Sequence, residues 1–507
     1  MNETAAELNR GFSERWSRAP ESRALFYVVA CCAALASAVL CASGRYAGAF
    51  VGATTLVVGG ILVSRRLSVE SLLVGWFITT ALASFYFRYP LDRSIITFDR
   101  AALVFALAVV IWKRYTGSIL NFRVTKFETA WGLLSAVALA SALYRSDDLA
   151  SAVRLAVDSF WLPLLAFHLA RHYFNDRRWD RVLIAGVIAM AFFLLATGGI
   201  EILTGTDVFQ FKGGDITRAH ERRVNGPFLA DSSYAIICLL TLIFLVESPR
   251  ALSVKLDGSA RLARATAIIA ALIGSLLPLF RGIALAMAGC WVVTQLAWLR
   301  ARATTQAGRR INSRVAWLLL LIPSLIIMLV STGYLDLSRI SSRLGDPTNA
   351  VVRLGTWNVA FNVMKSNPIA GVGLTNYNRY FHDTYDYNLD PVMEQLAVKA
   401  VDSPHSNFLW IGSELGVPAL LLYLLALGWL ISSSWRALNG SCSGGKAAGV
   451  CSLAMITAYV IPGIELASGY YSALNLNLFF LLGLLANRSS VESAQNDPRQ
   501  DREQITR

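Results

Sequence analysis

The chain has 507 residues, of which 55% are hydrophobic and only 16% charged, with a formal net charge of +13. A soluble domain carries about 25% charged residues, so this composition excludes a soluble fold, and the apolar residues fall into long uninterrupted blocks. Length alone would give about three globular domains; the blocks replace that count with a polytopic membrane protein.

The N-terminal segment 1 to 23 is polar with balanced charge, unlike a cleaved signal peptide with its basic start and short apolar core. It reads as a cytoplasmic tail. A bilayer core takes about 20 apolar residues per helix, and on that criterion spans follow at 24 to 43, 47 to 64, 69 to 87, 97 to 112, 128 to 144, 152 to 170, 182 to 203, 233 to 247, 265 to 280, 282 to 299 and 315 to 332. Three more come after a long loop, at 406 to 433, 447 to 463 and 472 to 487. The fold expected is an all-α transmembrane bundle of about fourteen spans. Its parts are a bundle over 24 to 332, an external loop over 333 to 405 with short amphipathic helices (periplasmic on the resemblance given below), three spans over 406 to 487, and a cytoplasmic tail over 488 to 507.

The basic residues orient this bundle. Clusters such as Lys113, Arg114, Arg123 and Lys126, then Arg177, Arg178 and Arg181, then Arg300, Arg302, Arg309, Arg310 and Arg314, fall on one set of alternate loops. The opposite short loops hold isolated residues, Arg45, Arg88, Arg93, Arg145 and Arg281. The rich set is cytoplasmic by the positive-inside rule, and so are both termini. Orientation accounts for the positive charge, so no nucleic acid partner is needed.

Seven cysteines, Cys31, Cys32, Cys41, Cys238, Cys290, Cys442 and Cys451, lie mostly in or beside apolar runs without CxxC spacing. They read as small buried side chains. The five histidines are scattered along the sequence, so neither a metal cluster nor a cofactor is expected. Without matching Gly/Pro-broken spans in two halves, the signature of an inverted-repeat transporter is missing.

Two long segments face outward on this orientation, 204 to 232 and 333 to 405. Long loops of this kind are usually functional or disordered. In the first, Arg218, Arg222 and Arg223 precede Val224-Asn225-Gly226-Pro227-Phe228. Arg281 follows at the outward end of a span, in Leu279-Phe280-Arg281-Gly282. Arginine at membrane depth marks a function or a pairing: either an acid such as Glu201 or Glu465 takes it, or it binds an anion, for which a guanidinium fork is well shaped.

In the second segment, Asp346 can cap and Pro347 suits a first helical position, while Val351, Leu354, Trp357, Phe361 and Met364 recur at helical steps up to Asn367-Pro368. The pattern predicts an amphipathic helix on the outer membrane surface, with Arg353 on its border. Arg353 either reaches lipid headgroups or contacts a substrate. The turn Pro368-Ile-Ala-Gly371-Val-Gly373-Leu permits close backbone approach, although GxG without strand and helix context is a weak phosphate signal. In Asp402-Ser-Pro-His405-Ser-Asn407, Ser406 or Asn407 can cap the next helix. His405 then sits at the positive end of that helix dipole, which favours a neutral imidazole suited to act as a base; a hydrogen-bonding histidine without chemistry is the plainer reading.

The stretch from 350 to 430, with Arg353-Leu-Gly-Thr-Trp357, Asn367-Pro368-Ile-Ala-Gly371-Val-Gly373-Leu, Ser403-Pro404-His405-Ser-Asn407-Phe-Leu-Trp and Glu414-Leu-Gly416, resembles the O-antigen ligase and polymerase superfamily of bacterial envelope glycosyltransferases. Arg223-Val-Asn-Gly226-Pro-Phe and Phe280-Arg281-Gly282 resemble two further arginine motifs of that family more loosely. The resemblance implies a metal-independent, inverting transfer of a glycan from undecaprenyl diphosphate to an acceptor hydroxyl on the periplasmic side of the inner membrane. The acceptor it implies is lipid A-core or a growing glycan. By position, His405 would activate or orient the acceptor, Arg223 and Arg281 would stabilise the diphosphate and Arg353 would contact substrate, with Arg222, Asn407, Gly371 and Gly373 in support. Lipopolysaccharide ligase and surface-polysaccharide polymerase share this donor site. About fourteen spans exceed the twelve that the resemblance implies for a ligase, which leaves twelve as the alternative count, and fit a polymerase at least as well; no large domain follows the last span, which argues against a protein-glycosylating branch. A transporter of lipid-linked sugars would need charges through the midplane, and Arg154, Asp158, Glu201 and Glu414 are few and mostly near span ends.

Overall fold

The computed structural model describes residues 68–83, 88–89, 96–115, 124–204, 224–228, 230–278, 280–303, 348–384, 403–440 and 442–495. The spans predicted at 24 to 43, 47 to 64 and 315 to 332 lie outside these residues. The chain divides into two compact units, Met1–Leu72 with Leu82–Ile119, and Leu73–Ala81 with Leu120–Arg507. Helix α1 (Val69–Ala83) has its first residues in the first unit and Leu73–Ala81 in the second. The first unit also holds a short antiparallel ladder, β1 (Arg88–Tyr89) against β2 (Ile96–Thr97), which leads into α2 (Phe98–Tyr115).

The second unit is a helical bundle. In order come α3 (Lys126–Arg145), then α4 (Leu149–Ala156) and α5 (Leu162–Tyr173) joined by a π-helical turn Val157–Trp161, then α6 (Arg178–Thr204), α7 (Asp231–Ala251), α8 (Gly258–Leu276) and α9 (Arg281–Ala303). After the second gap follow α10 (Thr348–Ser366), α11 (Tyr377–Thr384), α12 (Asn407–Leu415), α13 (Val417–Leu438), α14 (Ser443–Glu465), a 3-10 turn Ser468–Tyr470 and α15 (Ser472–Gln495). Among the described residues, 8 helices are long and apolar enough to cross a membrane, α4 and α5 forming one of them as Leu149–Tyr173. Helix α15 is not one of these, because Asn475, Asn477, Asn487 and Arg488 dilute its apolar run.

Burial separates centre from rim. The apolar stretch of α7 is 89% buried and that of α14 is 78% buried, against 28% for α9. A helix apolar on every side must be surrounded by protein or by lipid. Thus α7 and α14 form the axis, and the rim helices leave apolar sides exposed for acyl chains.

The π turn in Leu149–Tyr173 coincides with Pro163, which has no N–H for the helical ladder. The Trp131 indole donates to the Phe160 carbonyl there at 2.9 Å. Around it, Trp131 packs against Phe127, Tyr423 and Phe479, and Phe160 stacks on Trp410. This aromatic core fixes α12 against the bundle.

The span read at 406 to 433 is two helices. Gly416, at φ 89°, ends α12 and opens α13. A Cβ at this position would stand 2.3 Å from the Ile369 carbonyl oxygen, so only glycine fits. Helix α12, at 9 residues, is too short to cross a bilayer.

Candidate functional site

The predicted outward helix forms as α10, but its buried face differs from the stripe read in the sequence. Thr356, Val359, Ala360 and Val363 are buried, the three apolar ones packing with Val372, Tyr377, Phe381 and Leu409, while Leu354 and Phe361 are exposed. The helix is apolar on two sides, and periodicity alone could not say which one faces protein. Asp346 and Pro347, expected to start it, lie outside the described residues. Its end at Ser366 falls where predicted, two residues before Pro368.

Arg353, on the first turns of α10, makes an ion pair with Glu465 at the last residue of α14, Nη1 to Oε2 at 2.5 Å. The other Glu465 oxygen lies against Gly282, where a Cβ would approach it to 2.0 Å. Glu465 therefore ties α10 to α14 and packs against the start of α9, where Arg281 is the first residue. Of the two acids weighed for Arg281, Glu465 pairs with Arg353, and Glu201 accepts from the backbone N–H groups of Asn225 (2.9 Å) and Gly226 (3.0 Å). The side chain of Arg281 lies outside the described part of the structure, as do Arg222 and Arg223.

The turn after Glu465 holds the other candidates. Asn407 is buried; its amide donates to the Ser468 hydroxyl at 2.6 Å and its oxygen accepts from the Gly469 N–H at 2.8 Å. His405 lies two residues earlier, half-buried, in a left-handed conformation with φ 48°. A non-glycine residue is seldom found there, and such strain collects at functional sites. Ser406 is the N-cap residue of α12, without a side-chain cap hydrogen bond. The short stretch Glu465 to Gly469 thus anchors Arg353 through an ion pair and Asn407, two residues after His405, through two hydrogen bonds.

Val224 and Gly226 place the end of the first outward segment. Glu201 holds the backbone at Gly226, and that glycine lies on the Tyr234 ring, where a Cβ would come within 2.5 Å. Tyr234 in turn reaches Gly198 and Gly274, which packs α6, α7 and α8 together. Arg223 adjoins this anchor in sequence.

The glycine turn serves as scaffold. Val372 N–H and Gly373 N–H donate to the carbonyls of Ser413 and Glu414, each at 2.9 Å, and Gly371 N–H donates to Asn367. These donors are spent on backbone, which leaves none of the three for a phosphate. The Glu414 carboxylate accepts from Thr375 N–H (3.0 Å), Tyr377 N–H (3.2 Å) and the Trp410 indole (2.7 Å). Arg145, at the end of α3, donates to the Gly371 carbonyl at 2.8 Å. Glu414 and Arg145 thus lock the turn to α3 and α12, a role that sequence could not separate from a transport charge.

Residues 265–424 match the O-antigen ligase family model. Over this stretch the chain is similar to that family. The stretch contains Arg281, Arg353 and His405, and it begins well before the 350 to 430 stretch on which the resemblance was strongest, whereas Arg223 lies outside it. No curated protein matches the chain. Together with the apolar helices, this similarity identifies a multi-span membrane protein.

The sequence reading missed a second polar cluster, far from the ligase motif. Glu128 of α3 meets His168 and His172 of α5, and the three donor atoms lie within 4.8 Å of one another. The histidines scattered in the sequence are therefore not all scattered in space. The signals that could have found the cluster are the four-residue spacing of His168 and His172, which puts both on one helix face, and the Thr125-x-x-Glu128 capping box.

Proposed function

We propose that this protein is a periplasm-facing glycosyltransferase of the inner membrane that moves a glycan from undecaprenyl diphosphate to an acceptor hydroxyl. The observation that carries the reading is the turn from Glu465 to Gly469, just beyond the matched stretch, which pairs with Arg353 through Glu465 and holds Asn407, two residues after His405, through Ser468 and Gly469. The acceptor is lipid A-core in the ligase reading and a growing glycan in the polymerase reading.

In this mechanism the acceptor oxygen attacks the anomeric carbon, the bond to the diphosphate oxygen breaks on the opposite face, and the configuration inverts. His405 takes the acceptor proton. The diphosphate departs with the electron pair, and its charge is met by Arg223 and Arg281, with Arg353 as a further contact. Fixed guanidinium groups in a dry site stabilise such a leaving group strongly, so the reacting centre needs no divalent ion. Glu465 orients Arg353 through one donor, and a guanidinium carries five. Exposed Leu354 and Phe361 on α10 then rest among acyl chains and keep the site at headgroup level, where the lipid-linked donor lies. The distribution of the basic loops supports a periplasmic side for this face and a cytoplasmic one for both termini.

The test is complementation of a deletion strain. Wild type restores polymer on its acceptor; His405→Ala inserts in the membrane but leaves lipid-linked glycan unused. Long unligated polymer in the deletion strain identifies a ligase and single repeat units a polymerase. Full restoration by His405→Ala would refute the assignment.

A further inference from the structure

We propose that Glu128, His168 and His172 bind one divalent transition-metal ion of the zinc class, at the end of α3 remote from His405. The geometry comes from two helices. His168 and His172 project from one face of α5, and Glu128 stands at the third position of α3, across from them. Glu128 Oε1 is 2.7 Å from His168 Nδ1 and 3.0 Å from His172 Nε2, and the two imidazole rings are 4.7 Å apart, centre to centre. Around a tetrahedral ion with bonds of about 2.0–2.1 Å, neighbouring donor atoms stand roughly 3.3 Å apart. The three groups need to spread by only about half an ångström to admit the ion.

The carboxylate is already held. Its other oxygen, Oε2, accepts from Thr125 N–H and the Thr125 hydroxyl, both at 2.7 Å. Outer partners of this kind fix a ligand's direction and sustain affinity. The Glu128 side chain is 4% exposed, but those of His168 and His172 are 20% and 13% exposed, so an ion and a completing water can enter from the helix ends. Two imidazoles and one carboxylate with an open position suit zinc and its neighbours better than magnesium or calcium, which prefer all-oxygen sets. Arg171 is a charged neighbour of Glu128. Binding uses the lone pairs of His168 Nδ1 and His172 Nε2. These are the nitrogens that donate to Glu128 Oε1 in the ion-free structure, so each ring gives up that hydrogen bond and carries its proton on the other nitrogen once the ion binds.

Helix α3 separates this cluster from the glycine turn. From Glu128 to Arg145, which holds Gly371, the rise is about 25 Å at 1.5 Å per residue. The ion is therefore not a participant in glycan transfer; it staples α3 to α5. On the orientation proposed above, the staple faces the cytoplasm.

The test uses the full chain purified in detergent, stripped with a chelator, incubated with zinc chloride and passed over a desalting column. Wild type should retain one zinc per chain, and its thermal midpoint should rise with zinc. The His168→Ala/His172→Ala double variant should retain none and show no shift. Glu128→Gln, which keeps a residue permitted in the capping box, should bind zinc more weakly, and Thr125→Ala should lose about 10–100-fold in affinity. Wild type that retains no zinc, or a double variant that retains as much as wild type, overturns the proposal.

Discussion

Glu128 near the start of α3 and Glu414 of α12, beside the turn that Arg145 holds at the other end of α3, are both buried carboxylates, and the two are satisfied in opposite ways. Beside Arg145, Glu414 accepts from two backbone N–H groups and an indole, donors that have no second chemistry. At the other end, Glu128 accepts from two imidazoles and a capping threonine, donors that can turn into ligands. The difference teaches that burial of an acid does not by itself mark a functional site; the donor set decides between scaffold and binding site. Glu465 is a third case, in which an acid positions a cation that is itself half-exposed.

The largest effect should follow from the scaffold end. Gly371 has φ 61°, and a Cβ there would stand 2.3 Å from the Glu414 carbonyl carbon. Left-handed strain and overpacking against backbone should together cost Gly371→Ala about 2–5 kcal/mol, read as a large fall in thermal midpoint. Gly428→Ala, with nothing within 4 Å, should leave the midpoint nearly unchanged. Equal effects at the two glycines would undo the scaffold reading.

Next comes Glu414→Leu. It strands Thr375 N–H, Tyr377 N–H and the Trp410 indole, at about 1–3 kcal/mol for a stranded buried donor. The loss should be the same with and without zinc, whereas Glu128→Gln should differ from wild type mainly when zinc is present. A zinc-dependent Glu414→Leu effect would blur the contrast between the two ends.

The smallest effect tests a surface cap outside both sites. Asp257 caps α8, and hydrogen bonds from Ala260 N–H and then the Ser259 hydroxyl hold its carboxyl below the ordinary range. A carboxyl lowered by folding contributes stability above its unfolded pKa and loses it as pH falls through the folded value. The small deficit of Asp257→Ala relative to wild type should therefore be present at neutral pH and vanish in strong acid. A deficit independent of pH would assign it to backbone propensity instead.

The helices were legible because apolar blocks report burial directly, and α6, α7 and α14 lie close to the predicted spans. The break at Gly416 was not, since apolar residues flank it and only the collision with Ile369 reveals the turn. Helix α10 was legible as a helix but not in its buried face, because small residues such as Ala360 carry the packing while larger Leu354 and Phe361 stay exposed. At the candidate site, Arg353 and His405 were readable as residue types in a motif. The common anchor of Arg353 and Asn407 was not: Glu465 and Ser468 lie far along the chain, and contacts between distant segments leave no periodicity. Glu128 and the two histidines were hidden for the same reason.

The central claim, that Arg353 and His405 serve one reaction at one site, is tested most directly by purified protein in lipid with an undecaprenyl-diphosphate-linked glycan and its acceptor. Donor binding and transfer are measured separately. His405→Ala should bind donor as wild type does and lose at least about 100-fold in transfer, the scale of a general base, while Arg353→Ala should weaken donor binding and fall in transfer only as occupancy falls. Transfer by His405→Ala at the wild-type rate, or donor binding unaffected by Arg353→Ala, would contradict the account.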